Sequence, residues 1–167
     1  MKTAIIILGC MMLFGWSGCS VVPEPSIIFD KGRFDQEWAA WEAQGIVNYT
    51  VVEYLGNSST GPLKARIVVK DNEITQIDNL DKYDTSDISD SVKTVSELYA
   101  YIAERYEKDN REMQTGVKYD LLIIDITYNE QFHYPEKVSY HYFSKEPVDG
   151  GGGWSVELTE FEPLTEP

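Results

Sequence analysis

The sequence predicts an α+β fold, in which two helices pack on a curved antiparallel sheet of about five or six strands in the order α-β-β-β-α-β-β-β. Three observations predict it. Two segments carry apolar residues at helical spacing, further segments are rich in β-branched and aromatic residues, and short turn-forming stretches separate most of those strands. Because short connections favour antiparallel neighbours, the strands are expected to form one sheet.

The N-terminus has the layout of a secretory signal. The single cation Lys2 precedes an apolar run from Ile5 to Trp16, and the small residues Ser17 and Gly18 follow it. A membrane-spanning helix needs about 20 apolar residues to cross a hydrocarbon core of about 30 Å. This run is shorter, so we expect it to be cleaved.

The stretch Trp16-Ser17-Gly18-Cys19 resembles the lipobox of bacterial lipoproteins. The resemblance implies that the Cys19 thiol is acylated and that cleavage occurs just before it. Cys10 is a poorer candidate, because cleavage there would leave too short an apolar region. We therefore expect a signal peptide over residues 1–18, a lipidated, proline-containing tether over 19–27 and one domain over 28–167.

The negative net charge of the chain limits the classes of partner that it can bind. The chain carries a formal net charge of −14, and because Lys2 is the only charged residue among the first 18, the mature chain is expected to carry −15. Affinity for nucleic acid comes largely from cations that neutralise phosphates, so we expect no nucleic-acid partner. No cysteine follows Cys19, so the domain has no disulfide and depends on its core.

The first helix is predicted between Ile27 and Gly45. Asp30 is a helix-capping residue, Phe29 and Phe34 occupy the positions of a hydrophobic staple, and Gly45 favours the left-handed conformation that ends a helix. Aromatic residues at helical spacing are expected to dock this helix on the sheet rather than to bind a ligand; they are Phe34, Trp38 and Trp41.

A strand and a hairpin are predicted next. Residues Asn48–Leu55 are rich in β-branched and aromatic side chains, which favours a strand. Residues Ala65–Ile77 form two strand-like halves about Asp71 and Asn72, and both of these residues tolerate the positive φ of a tight turn.

The second helix follows a capping-box pattern, in which Thr94 and Glu97 each satisfy a backbone N–H of the other. Apolar residues recur beyond it at helical spacing, namely Val95, Leu98, Ile102 and Tyr106. Three further strands are predicted over Tyr119–Asn129, Lys137–Ser144 and Trp154–Phe161.

Short motifs between Trp38 and Phe161 resemble a small secreted domain known as domain of unknown function 6174. They are Asn48-Tyr49 at the start of a strand, the hairpin Val69-Lys70-Asp71-Asn72, the helix start Thr94-Val95-Ser96-Glu97-Leu98, and Tyr134-Pro135 before a strand. That family usually has Gly where this chain has His133. The resemblance implies the fold and an envelope location, and it brings no known activity, substrate or catalytic residue.

Two acidic or glycine-rich stretches are candidate ligand sites. Aspartates recur at every third position from residue 78 to 90, and carboxylate oxygens are the ligands that calcium prefers. An EF-hand-like loop instead alternates its ligands around a central glycine, so we expect a solvated loop without a bound cation. The glycine run that ends at Trp154 opens a strand rather than a helix, so we expect a flexible loop and no phosphate site.

These patterns favour a binding module of the bacterial cell envelope, on the periplasmic or surface-exposed side, held in the bilayer by acylated Cys19. We expect no enzymatic activity, metal or cofactor, and contact with a protein partner through sheet aromatics expected to be exposed, namely Tyr140, Tyr142 and Phe143. The alternative is an envelope hydrolase or metal-dependent enzyme that uses His133 or His141 with neighbouring carboxylates. An enzyme is expected to show a deep pocket where these groups converge.

Overall fold

The computed structural model describes residues 25–57, 62–81, 91–115, 120–144 and 153–164. The signal sequence, Cys19 and Pro23 lie outside these residues, whereas Pro25 of the tether is the first of them. The described elements are β1 (Ser26–Ile28), α1 (Lys31–Gln44), β2 (Tyr49–Asn57), β3 (Leu63–Lys70), β4 (Glu73–Asn79), α2 (Val95–Gln114), β5 (Leu121–Tyr128), β6 (Pro135–Phe143) and β7 (Gly153–Pro163). The predicted α+β class is confirmed, with both helices in their expected places.

The sheet differs from the prediction in strand number and in direction. Its order is β1-β5-β6-β7-β2-β3-β4, which makes seven strands among the described residues rather than five or six. The extra strand β1 begins within the segment assigned to the tether and runs parallel to β5, so the sheet is mixed and not antiparallel. No short turn connects β1 to β5, so no hairpin imposes antiparallel pairing on them.

The topology repeats along the chain. Each helix is followed by a meander of three antiparallel strands, β2-β3-β4 after α1 and β5-β6-β7 after α2. The two meanders join where β7 pairs with β2, from Tyr49 opposite Pro163 to Asn57 opposite Trp154. The described strands therefore form one continuous sheet.

Both helices lie on the same face of the sheet. The Trp41 ring of α1 meets the Tyr49 ring of β2 at 5.8 Å, and the Tyr140 hydroxyl of β6 donates to the carbonyl of Ile102 in α2 at 3.2 Å. Aromatic contacts also join the two helices, where the Trp38 and Tyr99 rings stack 5.6 Å apart. The expectation that the aromatic face of α1 belongs to the core is thereby confirmed.

The local signals that begin and end these elements act as predicted. The Asp30 side chain accepts a hydrogen bond from the backbone of Arg33, and Gly45 ends α1 with φ 61°. Thr94 and Glu97 form the complete capping box of α2. The hairpin between β3 and β4 turns through two residues of positive φ, Asp71 at 52° and Asn72 at 62°.

The other face of the sheet carries polar side chains over a small apolar centre. Val52 of β2 points to this face and is fully buried, although no helix among the described residues covers it. Its neighbours across the strands are Arg66 and Thr159, and Arg66 pairs with Glu160 at 2.5 Å. This ion pair joins β3 to β7 across β2. Within the described ranges, no helix is long and apolar enough to cross a membrane.

Candidate functional site

A small pocket lies where the start of α1 faces the outer edge of β5. β1 pairs only with Leu121–Ile123, whereas β5 continues to Tyr128. Among the described residues, no strand flanks Ile124–Tyr128 on the side opposite β6. We name this edge and its pocket of about 140 Å³ the β5 edge site; the pocket is lined by Phe29, Asp30, Arg33, Ile124, Asp125, Ile126 and Tyr128.

The start of α1 fixes one wall of the site. The chain leaves the sheet after Ile28, and the Asp30 carboxylate accepts the Arg33 N–H at 2.9 Å, which caps the helix there. The Phe29 ring lies 5.4 Å from Phe34 and 5.0 Å from Tyr106, so it is held against both helices. These contacts direct the chain away from β5. As a result, β1 does not pair with the second half of β5.

The second wall is the backbone edge of β5. The Ser26 N–H donates to the Asp120 carbonyl at 3.1 Å, so that carbonyl faces β1. Backbone polar groups alternate sides along an extended strand, so those of Ile124 and Ile126 face the same way. Beyond Ile28 no described strand pairs with them, and the site therefore offers backbone donors and acceptors for another strand.

The charged groups of the site have different partners. The Arg33 guanidinium lies 5.2 Å from the centre of the Tyr128 ring, a cation–π distance, and its Nε lies 3.4 Å from Glu37. Burial raises the pKa of Tyr128, so this side chain stays neutral at physiological pH. Asp30 provides a carboxylate of the pocket wall, where it caps α1, whereas Asp125 is exposed on the face of β5 opposite Ile124 and Ile126.

A buried carboxyl lies elsewhere, between the sheet and the start of α2. Glu53 of β2 is 1% exposed, and its Oε2 accepts the Lys93 N–H at 3.1 Å. The Tyr49 hydroxyl accepts the Val95 N–H at 2.8 Å, so two side chains of β2 hold the segment that begins α2. Desolvation by burial raises the pKa of Glu53 to about 7. The sequence signal for this burial is the position of Glu53 in the apolar alternation Tyr49, Val51, Glu53, Leu55.

His133 lies in the turn between β5 and β6 and contacts α1. Its Nδ1 is 2.8 Å from Glu37, and its carbonyl accepts the hydroxyl hydrogen of Tyr99. Its backbone has φ 60°, the left-handed conformation that Gly adopts without steric cost. The family that this chain resembles usually has Gly at this position, and the backbone accounts for that preference.

The three aromatic residues predicted to form an exposed surface do not share one. Tyr140 is 1% exposed because it points towards the helices, which corrects the expectation that it is accessible. Tyr142 points the same way, and its hydroxyl lies 2.9 Å from Arg105 and 3.1 Å from Asp109. Phe143 is 50% exposed. Side chains alternate along β6, so Phe143 lies on the opposite face from the two tyrosines.

The candidate enzyme residues lie apart. His133 contacts α1, whereas His141 is exposed on the face of the sheet opposite the helices, where it pairs with Ile123 and Gly153. Neither histidine lines the pocket of the β5 edge site. Within the described ranges, no group of three or more His, Cys, Asp or Glu side chains is placed to hold a metal ion.

The acidic stretch from residue 78 to 90 is described only in part. Asp78 accepts a hydrogen bond from the Gln76 side chain at 2.9 Å, and Asp81 accepts one from the Lys64 backbone. Residues 82–90 lie outside the described residues, as do 145–152 with most of the glycine run.

Comparison with known proteins gives one finding about family. The model of the family described as "Family of unknown function (DUF6174)" matches residues 33–160, which is more than half of the chain. The match includes all the described elements from α1 to β7, apart from the first two residues of α1 and the last three of β7. No curated protein and no solved structure matches the chain.

Proposed function

This chain belongs to the DUF6174 family of unknown function, and from that premise we propose that it is a membrane-anchored lipoprotein of the bacterial envelope whose domain binds another protein. The proposal has two parts, an anchor and a binding domain. They depend on different residues and are tested separately.

The anchor is supported by the sequence of the N-terminus. Cys19 follows a full apolar segment and two small residues, and the prolines at 23 and 25 favour an extended spacer before the domain. Lipid chains contribute about 0.8 kcal/mol per buried methylene, so two or three chains on one residue hold a protein firmly. The acidic domain would itself be repelled by anionic lipids, so attachment depends on the acyl chains.

The anchor is tested by incorporation of labelled palmitate into wild type, Cys19→Ala and Cys10→Ala. We expect the label to disappear and an uncleaved precursor to accumulate in Cys19→Ala, whereas Cys10→Ala behaves as wild type. High salt is expected to leave the wild-type protein on the membrane. Equal labelling of wild type and Cys19→Ala would contradict the assignment.

The binding role is supported by one observation above all, the β5 edge site. It combines a strand edge with which no described strand pairs, a pocket with apolar and charged walls, and a fixed helix start beside it. Unpaired strand edges are templates for pairing with another chain. The enzyme alternative gains no such support, since His133 and His141 lie on opposite sides of the sheet.

Photo-crosslinking in the native membrane tests the binding role. A photoreactive residue in place of Thr127, which is exposed on β5, is expected to give a discrete adduct with one protein. The matched control carries it in place of Glu73, exposed on β4 at the other edge of the sheet. Adducts of the same protein in equal yield at both positions, or none at position 127, would count against binding at this site.

A further inference from the structure

The unpaired half of β5 has the dimensions of a binding site for one more strand. Ile124–Tyr128 are five residues, and most strands in globular proteins have three to ten. β1 already occupies the adjoining position beside Leu121–Ile123, so a strand that continues past Ile28 would follow an existing line of pairing. After Ile28 the chain turns into α1, so no described strand lies beside Ile124–Tyr128 on this side of β5.

The pocket adds side-chain selectivity to this edge. When an extended peptide pairs with a sheet edge, its backbone supplies affinity and pockets for alternate side chains supply specificity. The pocket lies between β5 and the first turn of α1, so it can take one side chain of such a strand. Phe29, Ile124 and Ile126 provide apolar walls for that side chain.

The charges select a basic side chain. Side chains alternate along β5, so the exposed carboxylate of Asp125 lies on the face of the sheet away from Ile124 and Ile126. On the pocket wall, the Asp30 carboxylate caps α1, and the Arg33 guanidinium already has Glu37 and the Tyr128 ring as partners. The whole chain carries a formal net charge of −14, so long-range attraction also favours a cationic partner. A Lys or Arg of the added strand that lies opposite Asp125 points to the same face and can bring its charge to that carboxylate.

We propose that the β5 edge site binds an extended basic segment of a partner protein, which pairs with Ile124–Tyr128 as an additional strand, places an apolar side chain in the pocket and sets a Lys or Arg beside Asp125. This rests on the proposed binding function, because it names the partner segment for that same site. It excludes a partner bound mainly through Phe143 or through the β4 edge.

The test measures binding of synthetic peptides to the full chain in neutral detergent micelles. The probe is an acetylated, amidated hexapeptide of alternating Lys and Val. One counterpart replaces Lys by Glu, and another carries N-methyl groups on alternate residues, which removes backbone donors. We expect saturable binding of the first peptide and at least about tenfold weaker binding of both counterparts, a difference of about 1.4 kcal/mol.

Two protein variants locate the binding. Asp125→Lys reverses an exposed charge beside the open edge of β5, and Glu73→Lys makes the same change on β4 at the far edge of the sheet. We expect the first to weaken binding of the basic peptide at least about tenfold and the second to change it little. Equal losses in the two variants would mean that the attraction is only an effect of net charge, and the proposal would fail.

Amide hydrogen exchange supplies the structural readout. We expect exchange at the amides of Ile124–Tyr128 that face the open edge, such as that of Ile126, to be fast in the free protein and slowed by the basic peptide, while β4 is unchanged. Slow exchange at these residues without peptide would mean that other residues of this chain already cover the edge. No saturable binding, or equal binding of the N-methylated peptide, would likewise overturn the proposal.

The crosslinking experiment separates this inference from the proposed function. If the position-127 adduct forms in the Asp125→Lys background as in wild type, the domain binds a protein and the basic-segment inference is wrong. If wild type gives no adduct, the proposed binding function fails first.

Discussion

The buried carboxyl of Glu53 allows a quantitative prediction of stability against pH. The pKa of this group rises from 4.5 to about 7 on folding because burial removes its charged form from water. Between these values the folded protein binds a proton that the unfolded chain releases, so the contribution of Glu53 to stability is fully present below pH 4.5 and is lost as pH rises through 7. The rise corresponds to about 3 kcal/mol, with no reduction for solvent screening at 1% exposure.

Glu53→Gln removes this titration and keeps an oxygen that can accept the Lys93 N–H. The free energy of unfolding is measured by urea denaturation of the full chain at about pH 4 and about pH 8, for wild type and variant. We expect the stability of the variant relative to wild type to increase by about 3 kcal/mol between the two pH values. The matched control is Glu104→Gln, exposed on α2.

The change in relative stability between the two pH values is more informative than the relative stability at either pH alone. The amide introduced by Glu53→Gln has different hydrogen-bonding needs from a carboxyl, and this contribution to stability is the same at both pH values. If the difference between variant and wild type is the same under the acidic and the alkaline condition, folding does not shift the pKa of Glu53, and the reasoning from burial is wrong.

Two further predictions concern the signals at element ends. Thr94→Ala is expected to lower the free energy of unfolding by about 1 kcal/mol in urea denaturation, because the Glu97 N–H loses its acceptor, whereas Thr94→Ser keeps it; an unchanged midpoint for Thr94→Ala would contradict the cap. Asn72→Val is expected to cost about 1–2 kcal/mol in thermal unfolding, because its φ of 62° crowds a β-branched side chain, while Asn72→Gly is expected to be close to neutral in that assay. Equal melting temperatures for the two Asn72 variants would refute the strain argument.

The features that were predicted correctly depend on residues close in sequence. Asp30 caps α1 through the backbone three residues away, and Thr94 caps α2 in the same way. The turn at Asp71 and Asn72 needs only their own backbone preferences. Such interactions are determined by the local sequence, and they form as predicted where tertiary contacts do not disrupt them.

Exposure was harder to predict because it depends on which face the helices cover. The alternation along β6 places Tyr140 and Tyr142 on one face and Phe143 on the other. Nothing in that strand indicates which face meets α2, since the partners Ile102 and Arg105 lie in a distant segment. Tyr140 was therefore placed on the surface when it is part of the core.

The strand β1 and the β5 edge site were missed for a related reason. Three residues are too few to show a strand alternation, and β1 is held by pairing with Leu121–Ile123 far along the chain. The pocket is made by two segments that meet only in the folded state, the start of α1 and the second half of β5. Its charged residues, Arg33 and Asp125, show no common pattern in the sequence.

The pairing of β7 with β2 has a consequence for how the chain folds. Each meander contains only short-range contacts, whereas this pair brings together strands from opposite ends of the domain, so closing it carries the largest loss of chain entropy. During synthesis, β2 and β3 can form a hairpin early, but the other edge of β2 has no partner until Gly153–Pro163 has been made. The last strand of the domain is thus the one that removes an aggregation-prone edge from the middle of the finished sheet.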